Sequence, residues 1–255
     1  SLATGAENDF WGKLSILEPS PKRLSPPPVE QEDSGIRAWS WVASGYAAVW
    51  AKENTRAALF DAMRRREVYA TTGSRITLRF FGGWGFEEAD AARPDLVRHG
   101  YFGGVPMGGD LSATSGEARP RFLVRALKDP NGANLDRIQI VKGWRAADGS
   151  LQEEVHDVAL GGAHRKGLFG VRAVGSTVDV DSATYANTIG AAELSAWWED
   201  EDFDPAQHAF YYVRVIEIPT PRWSTYDAVR FGLELDERAP RSVQDRAYAS
   251  PIWYT

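Results

Sequence analysis

The chain has 255 residues, 43% of them apolar and 25% charged, with no cysteine and a formal net charge of −6. This suffices for one large soluble domain, or one domain with a smaller attached part. The acidic balance argues against a nucleic-acid partner, which needs a positive field to displace counterions; the lack of cysteine excludes disulfides, thiolate catalysis and zinc fingers; and no run approaches the roughly 18 to 20 apolar residues of a membrane span.

Ser1-Leu2-Ala3-Thr4-Gly5 opens the chain with neither an initiator methionine nor a signal-peptide pattern, so a fragment of a longer protein is expected. Residues 1–36 lack periodicity and carry Pro19, Pro21, Pro26, Pro27 and Pro28, which predicts an extended linker or surface loop. Trp39, Trp41, Tyr46 and Trp50 follow, and burial habits favour packing for them. Residues 54–66 read as a helix. Asn54 or Thr55 can cap it, and Ala58, Leu59, Ala62 and Met63 make one apolar stripe. Arg64, Arg65 and Arg66 sit where the helix dipole favours cations, a better account of them than phosphate binding. Val68–Gly73 reads as a short strand closing in a turn.

Beyond residue 75 the period becomes two. Ile76, Leu78 and Phe80 alternate with Arg75, Thr77 and Arg79, Phe122, Val124 and Ala126 with Arg121 and Arg125, and Ile138 and Ile140 with Arg137 and Gln139. In a strand near 209–218, Phe210, Tyr212, Ile216 and Ile218 share one parity, with Arg214 breaking it. Such alternation marks strands with one face in a core and one in water. Asp129-Pro130-Asn131-Gly132 and Asp148-Gly149 are turn signals. Together these predict a mainly β chain, an antiparallel β-sandwich. Two long glycine-rich segments, 82–118 and 160–188, interrupt the pattern and read as long loops of functional or mobile type.

Chemistry-bearing patterns are sparse. His99, His156, His164 and His208 are never at metal-ligand spacing. The acidic run Glu199–Asp204 lacks the glycine and closing glutamate of an EF-hand, and a solvated turn between two strands suits it better than a calcium loop. The glycines from Gly103 to Gly109 match neither a P-loop nor a dinucleotide fingerprint; tight turns account for them. In Ile218–Asp227, four residues are candidate substrate-binding groups: Arg222, Trp223, Tyr226 and Asp227. Arginine can grip a carboxylate or phosphate, and Trp and Tyr can stack on sugars or seal a domain interface. Equally, Arg222 and Asp227 can pair to brace a loop. No catalytic and no metal-ligating residue is assigned.

Five blocks carry a resemblance: 46–73, 104–111, 134–144, 219–228 and 250–255. Over nearly its whole length the chain resembles the bacterial family called domain of unknown function 3604. The resemblance implies a parent similar to metal-dependent hydrolases of the PHP (polymerase and histidinol phosphatase) type. In such a parent an N-terminal distorted α/β barrel carries His-x-His and Asp-x-His motifs as ligands for divalent metal ions. Neither motif occurs here. Residues 1–75 are then expected to be a linker and the last elements of that barrel, its remnant being one helix and a short strand. Residues 76–255 form the appended C-terminal β-sandwich. The expected role is that of an accessory domain, inactive alone, whose partner is the missing barrel domain of the same protein. A self-sufficient carbohydrate- or calcium-binding β module is the alternative. The resemblance further implies a periplasmic or secreted location, and it leaves oligomeric state open.

Overall fold

The computed structural model describes residues 20, 21, 24, 39, 42, 45–113, 118–162, 166, 167, 170, 171 and 174–255. Most of the expected 1–36 linker, Trp41 and His164 lie outside them. In chain order the first elements are β1 (Tyr46–Val49), α1 (Arg56–Arg64), β2 (Val68–Thr71), β3 (Thr77–Gly83), α2 (Leu96–Gly103), β4 (Gly104–Pro106), β5 (Asp110–Leu111) and β6 (Arg121–Leu127). Next come β7 (Leu135–Arg145), β8 (Leu151–Leu160), β9 (Lys166–Gly167), β10 (Gly170–Val171), β11 (Glu193–Glu199) and β12 (Ala209–Glu217). The last are β13 (Thr220–Pro221), α3 (Trp223–Phe231), β14 (Ser242–Val243), β15 (Arg246–Ala249) and β16 (Ile252–Tyr254).

The fold is an antiparallel sandwich, as the two-residue period predicts. A large sheet of eight strands is built around β12. One edge of β12 pairs with β7, which pairs with β8. Its other edge takes β16 at Ala209–Tyr211 and β15 at Arg214–Ile216. From there β15 leads to β2 and β1, and β16 pairs in parallel with β5. The second sheet runs β11-β6-β3-β4. Leu78, Phe80, Phe122 and Val124 of this sheet meet Ile138, Ile140, Val213 and Val215 of the large one in a single core. Each such buried side chain contributes about 1.5–3 kcal/mol relative to exposure. On the outer face of the smaller sheet, Phe81 and Leu123 pack with Phe86 and Leu96, so α2 and the turn before it cover that face.

The strand near 209–218 is present, but its core-facing parity differs from the reading above. Tyr211, Val213 and Val215 are fully buried, while Phe210, Tyr212 and Arg214 lie on the outer face. Both parities are apolar in sequence, and Arg214 marks the wet one. An irregularity at Ile216/Glu217 skips Asp136 of β7, and Ile218, just past the strand, is also buried.

The helix after Thr55 is present, and the Thr55 hydroxyl accepts from the Ala58 amide at 3.3 Å. Of its stripe, Ala62 is buried and Met63 is exposed. Strand β2 is hydrogen-bonded between β1 and β15, so strands from both sides of residue 75 share the large sheet. Segment 82–118 is less loop-like than its glycines suggest, because it contains α2, β4 and β5. No helix among the described residues is long and apolar enough to cross a membrane.

Candidate functional site

Chain turns converge at one end of the sandwich. The Asp129–Gly132 turn joins β6 to β7, and Gly132 N donates to Asp129 O at 2.9 Å. Both Asp129 oxygens are occupied by backbone amides, Oδ2 by Arg75 N and Oδ1 by Asn131 N, each at 2.9 Å. The segment after β10 is tied to this turn through Asn187, whose Nδ2 donates to Gly132 O at 3.1 Å and whose Oδ1 accepts from Asn134 N at 2.8 Å. From the other side come the end of β12, the start of α3 and the residue before β15.

Between them lies a recess of about 80 Å³, walled by Ser74, Asp129, Tyr185, Glu217, Tyr226 and Asp245 among others. That is room for a few waters or a small polar group. Glu217 is only 1% exposed. It shares the core-facing parity of Tyr211, Val213 and Val215, which directs a carboxyl into the interior. Ser74 Oγ donates to Glu217 Oε1, and Glu217 Oε2 has no hydrogen-bond partner among the described residues. Burial pushes the Glu217 carboxyl up to about 8, with Asp245 and Asp129 adding to the rise and the Ser74 hydroxyl and Lys128 opposing it. Asp245 Oδ1 accepts from Thr72 Oγ1 at 2.6 Å, and burial raises its carboxyl as well. Burial raises the Tyr185 phenol, reinforced by Glu217, Asp129 and Asp245. The recess is therefore acid-rich and partly neutralised by protonation.

Of the four candidates in 222–227, Tyr226 lines this recess. Arg222, Trp223 and Asp227 are buried. The segment is the first turns of a helix rather than a loop. The Arg222 guanidinium donates to Trp39 O and lies 5.7 Å from the centre of the Trp223 ring. Thr225 Oγ1 donates to Arg241 O at 2.7 Å, holding α3 against the strand β14 segment.

The remaining patterns have structural partners. His99 Nε2 is 3.0 Å from Asp90 Oδ2. His156 packs on the Trp198 ring at 4.7 Å. In the acidic run between β11 and β12, Glu199 pairs with Arg121 at 2.5 Å. Asp200 is turned inward onto Lys142 at 2.7 Å, so that residue is not solvated. Among the described residues no group of three or more His, Cys or acidic side chains is placed to hold a metal ion. In the recess itself both Asp129 oxygens accept from backbone amides, and one oxygen each of Glu217 and Asp245 accepts from Ser74 and Thr72.

Sequence reasoning missed Glu217, Ser74 and Asp245. The signal for Glu217 was a carboxylate at the end of an apolar parity, hidden by the choice of the opposite parity. Ser74 and Asp245 are unremarkable in sequence and become site residues only through the pairing of β2 with β15.

The family described as protein of unknown function (DUF3604) matches residues 1–255. No curated protein and no solved structure matches the chain.

Proposed function

The chain belongs to the DUF3604 family, and on that premise we propose that it is the β-rich accessory domain of a PHP-type metal-dependent hydrolase, acting by binding through the recess at Glu217. In this reading a barrel domain of the same polypeptide holds the divalent metal ions, which supply an activated water when bound. This chain supplies recognition. The carrying observation is the Glu217 carboxyl, buried with one oxygen held by Ser74 and the other facing the recess without a protein partner among the described residues. Buried polar atoms of native proteins are nearly always completed by a partner, a water or a ligand.

The full reading frame gives the first test. His-x-His and Asp-x-His upstream of Ser1 are expected, and a frame without them removes the hydrolase part of the reading. In the longer protein, Tyr226→Ala should raise KM with kcat nearly unchanged, the signature of lost ground-state binding. An unchanged KM removes the recess from substrate recognition.

One observation favours a second reading, a carbohydrate-binding module. On the outer face of the large sheet, Phe210 lies 5.3 Å from Trp253 and 6.4 Å from Tyr212, the latter pair stacked. Trp253 is 37% exposed. Aromatic faces on a sheet suit sugar rings. Retardation of the chain in polysaccharide-containing gels, lost in Trp253→Ala, would support this reading; unretarded migration would dismiss it.

A further inference from the structure

We propose that the recess at Glu217 is a binding site for a primary ammonium group, carried by a small amine or by a lysyl side chain. This rests on the binding role given to the recess above. Three features select that chemistry. The first is charge: Glu217, Asp245 and Asp129 share the wall, and Lys128, the nearby cation, spends its ammonium on Gly132 O at 2.8 Å and Asp129 O at 3.0 Å. The second is acceptor supply. Glu217 Oε2 faces the recess, and Asp245 has its second oxygen beyond the one taken by Thr72. An ammonium offers three donors and no acceptor, which complements such a wall; a carboxylate or phosphate ligand would meet repulsion there. The third is size and lining. About 80 Å³ admits a short aminoalkyl end, and Tyr185 and Tyr226 flank it, as aromatic walls flank ammonium groups elsewhere. Metal cations are disfavoured by the same geometry, since both Asp129 oxygens are held by backbone amides.

Binding has a proton consequence. An ammonium beside Glu217 favours the carboxylate, so the acid releases its proton to solvent as the ligand enters. No covalent bond is made or broken.

The test is calorimetric titration of the 255-residue chain at pH 7.5 with ethylammonium chloride and with Nα-acetyl-lysinamide, against sodium chloride at equal ionic strength. Saturable binding of an amine is expected, with a heat that varies with the ionisation enthalpy of the buffer. Glu217→Gln, which keeps shape and removes the charge, should weaken it by about tenfold or more. Asp245→Asn should weaken it in the same direction. Binding of ethylammonium alone identifies a small amine; binding of both identifies a lysyl end. No saturable heat with either amine up to about 50 mM, equal heats with sodium, or unaltered affinity in both variants would overturn the proposal. If that failure accompanied a raised KM for Tyr226→Ala in the longer protein, the binding role would stand without the ammonium.

Discussion

Lys142 and Asp200 are both buried, and their charges meet at 2.7 Å beneath the connection between β11 and β12. Tyr211 Oη donates to the same Asp200 oxygen at 2.6 Å. Lys142 Nζ also donates to Asp202 O at 3.1 Å, and Asp202 N donates to Asp200 Oδ1 at 3.2 Å. The turn is thus fastened to the core by charge. Burial and the Asp200 carboxylate raise the Tyr211 phenol far above its ordinary range, so it remains a donor. Lys142→Met leaves a buried carboxylate without its cation and is expected to cost about 3–5 kcal/mol. Adding Asp200→Asn should recover much of that loss. Urea unfolding of the single and double variants measures both, and a coupling energy near zero would contradict the pairing.

Glu217 makes stability depend on pH. Its folded carboxyl holds a proton up to about 8, against an ordinary value of 4.5. Between these values the folded state carries more protons than the unfolded state, so stability falls as pH rises. The contribution is complete below 4.5 and lost above about 8. Asp245, also raised by burial, acts in the same direction. Glu217→Gln should flatten the loss between pH 5 and pH 9, by on the order of a few kcal/mol. Denaturant midpoints across this range would show it, and parallel profiles for the two proteins would refute it.

Gly108 sits at φ +82°, where a Cβ would stand 2.1 Å from the Arg66 carbonyl oxygen. Its amide donates to Pro251 O at 3.1 Å, joining the approach to β5 to the start of β16. Gly108→Ala therefore combines backbone strain with a backbone clash and is expected to destabilise by about 2 kcal/mol or more. A melting temperature equal to that of the parent chain would count against this packing.

Arg222 is 6% exposed, with its guanidinium spent on Trp39 O and its backbone amide on Arg241 O at 3.0 Å. Arg222→Ala is expected to lower stability by about 1–3 kcal/mol through the unsatisfied carbonyl and lost packing. Arg222→Lys should recover only part of this, since lysine lacks the planar fork. Chemical denaturation of both variants provides the measurement.

The sandwich was legible where one parity is apolar and the other charged. Leu78 and Phe80 flanked by Thr77 and Arg79 form one such stretch, and Phe122 and Val124 flanked by Arg121 and Arg125 another; all four apolar residues are buried. The parity of β12 was not legible, because Phe210 and Tyr212 form an apolar outer row. Helix α2 hid behind its glycines. Gly100 reads as a breaker, yet a Cβ there would come within 2.4 Å of the Phe81 ring, so close packing of helix on sheet requires it. Helix α3 hid behind Pro219 and Pro221, although Gly232 just past its end was a visible stop signal. As for the recess, Tyr226 was legible as one of several polar and aromatic residues in a short run. Ser74, Glu217 and Asp245 were not, since they lie far apart in sequence and only tertiary pairing makes them neighbours.

The placement of β15 and β16 bears on how the polypeptide acquires its shape. Residues 246–254 fill the interior of the large sheet, joining β12 to β2 on one side and to β5 on the other. Without these strands β1 and β2 have no hydrogen-bonded route to β12. Closing the large sheet therefore joins segments separated by more than 170 residues, β2 and β15, and pairings of such high sequence separation form slowly. Deletion of residues 252–254 would open two seams, one against β12 and one against β5.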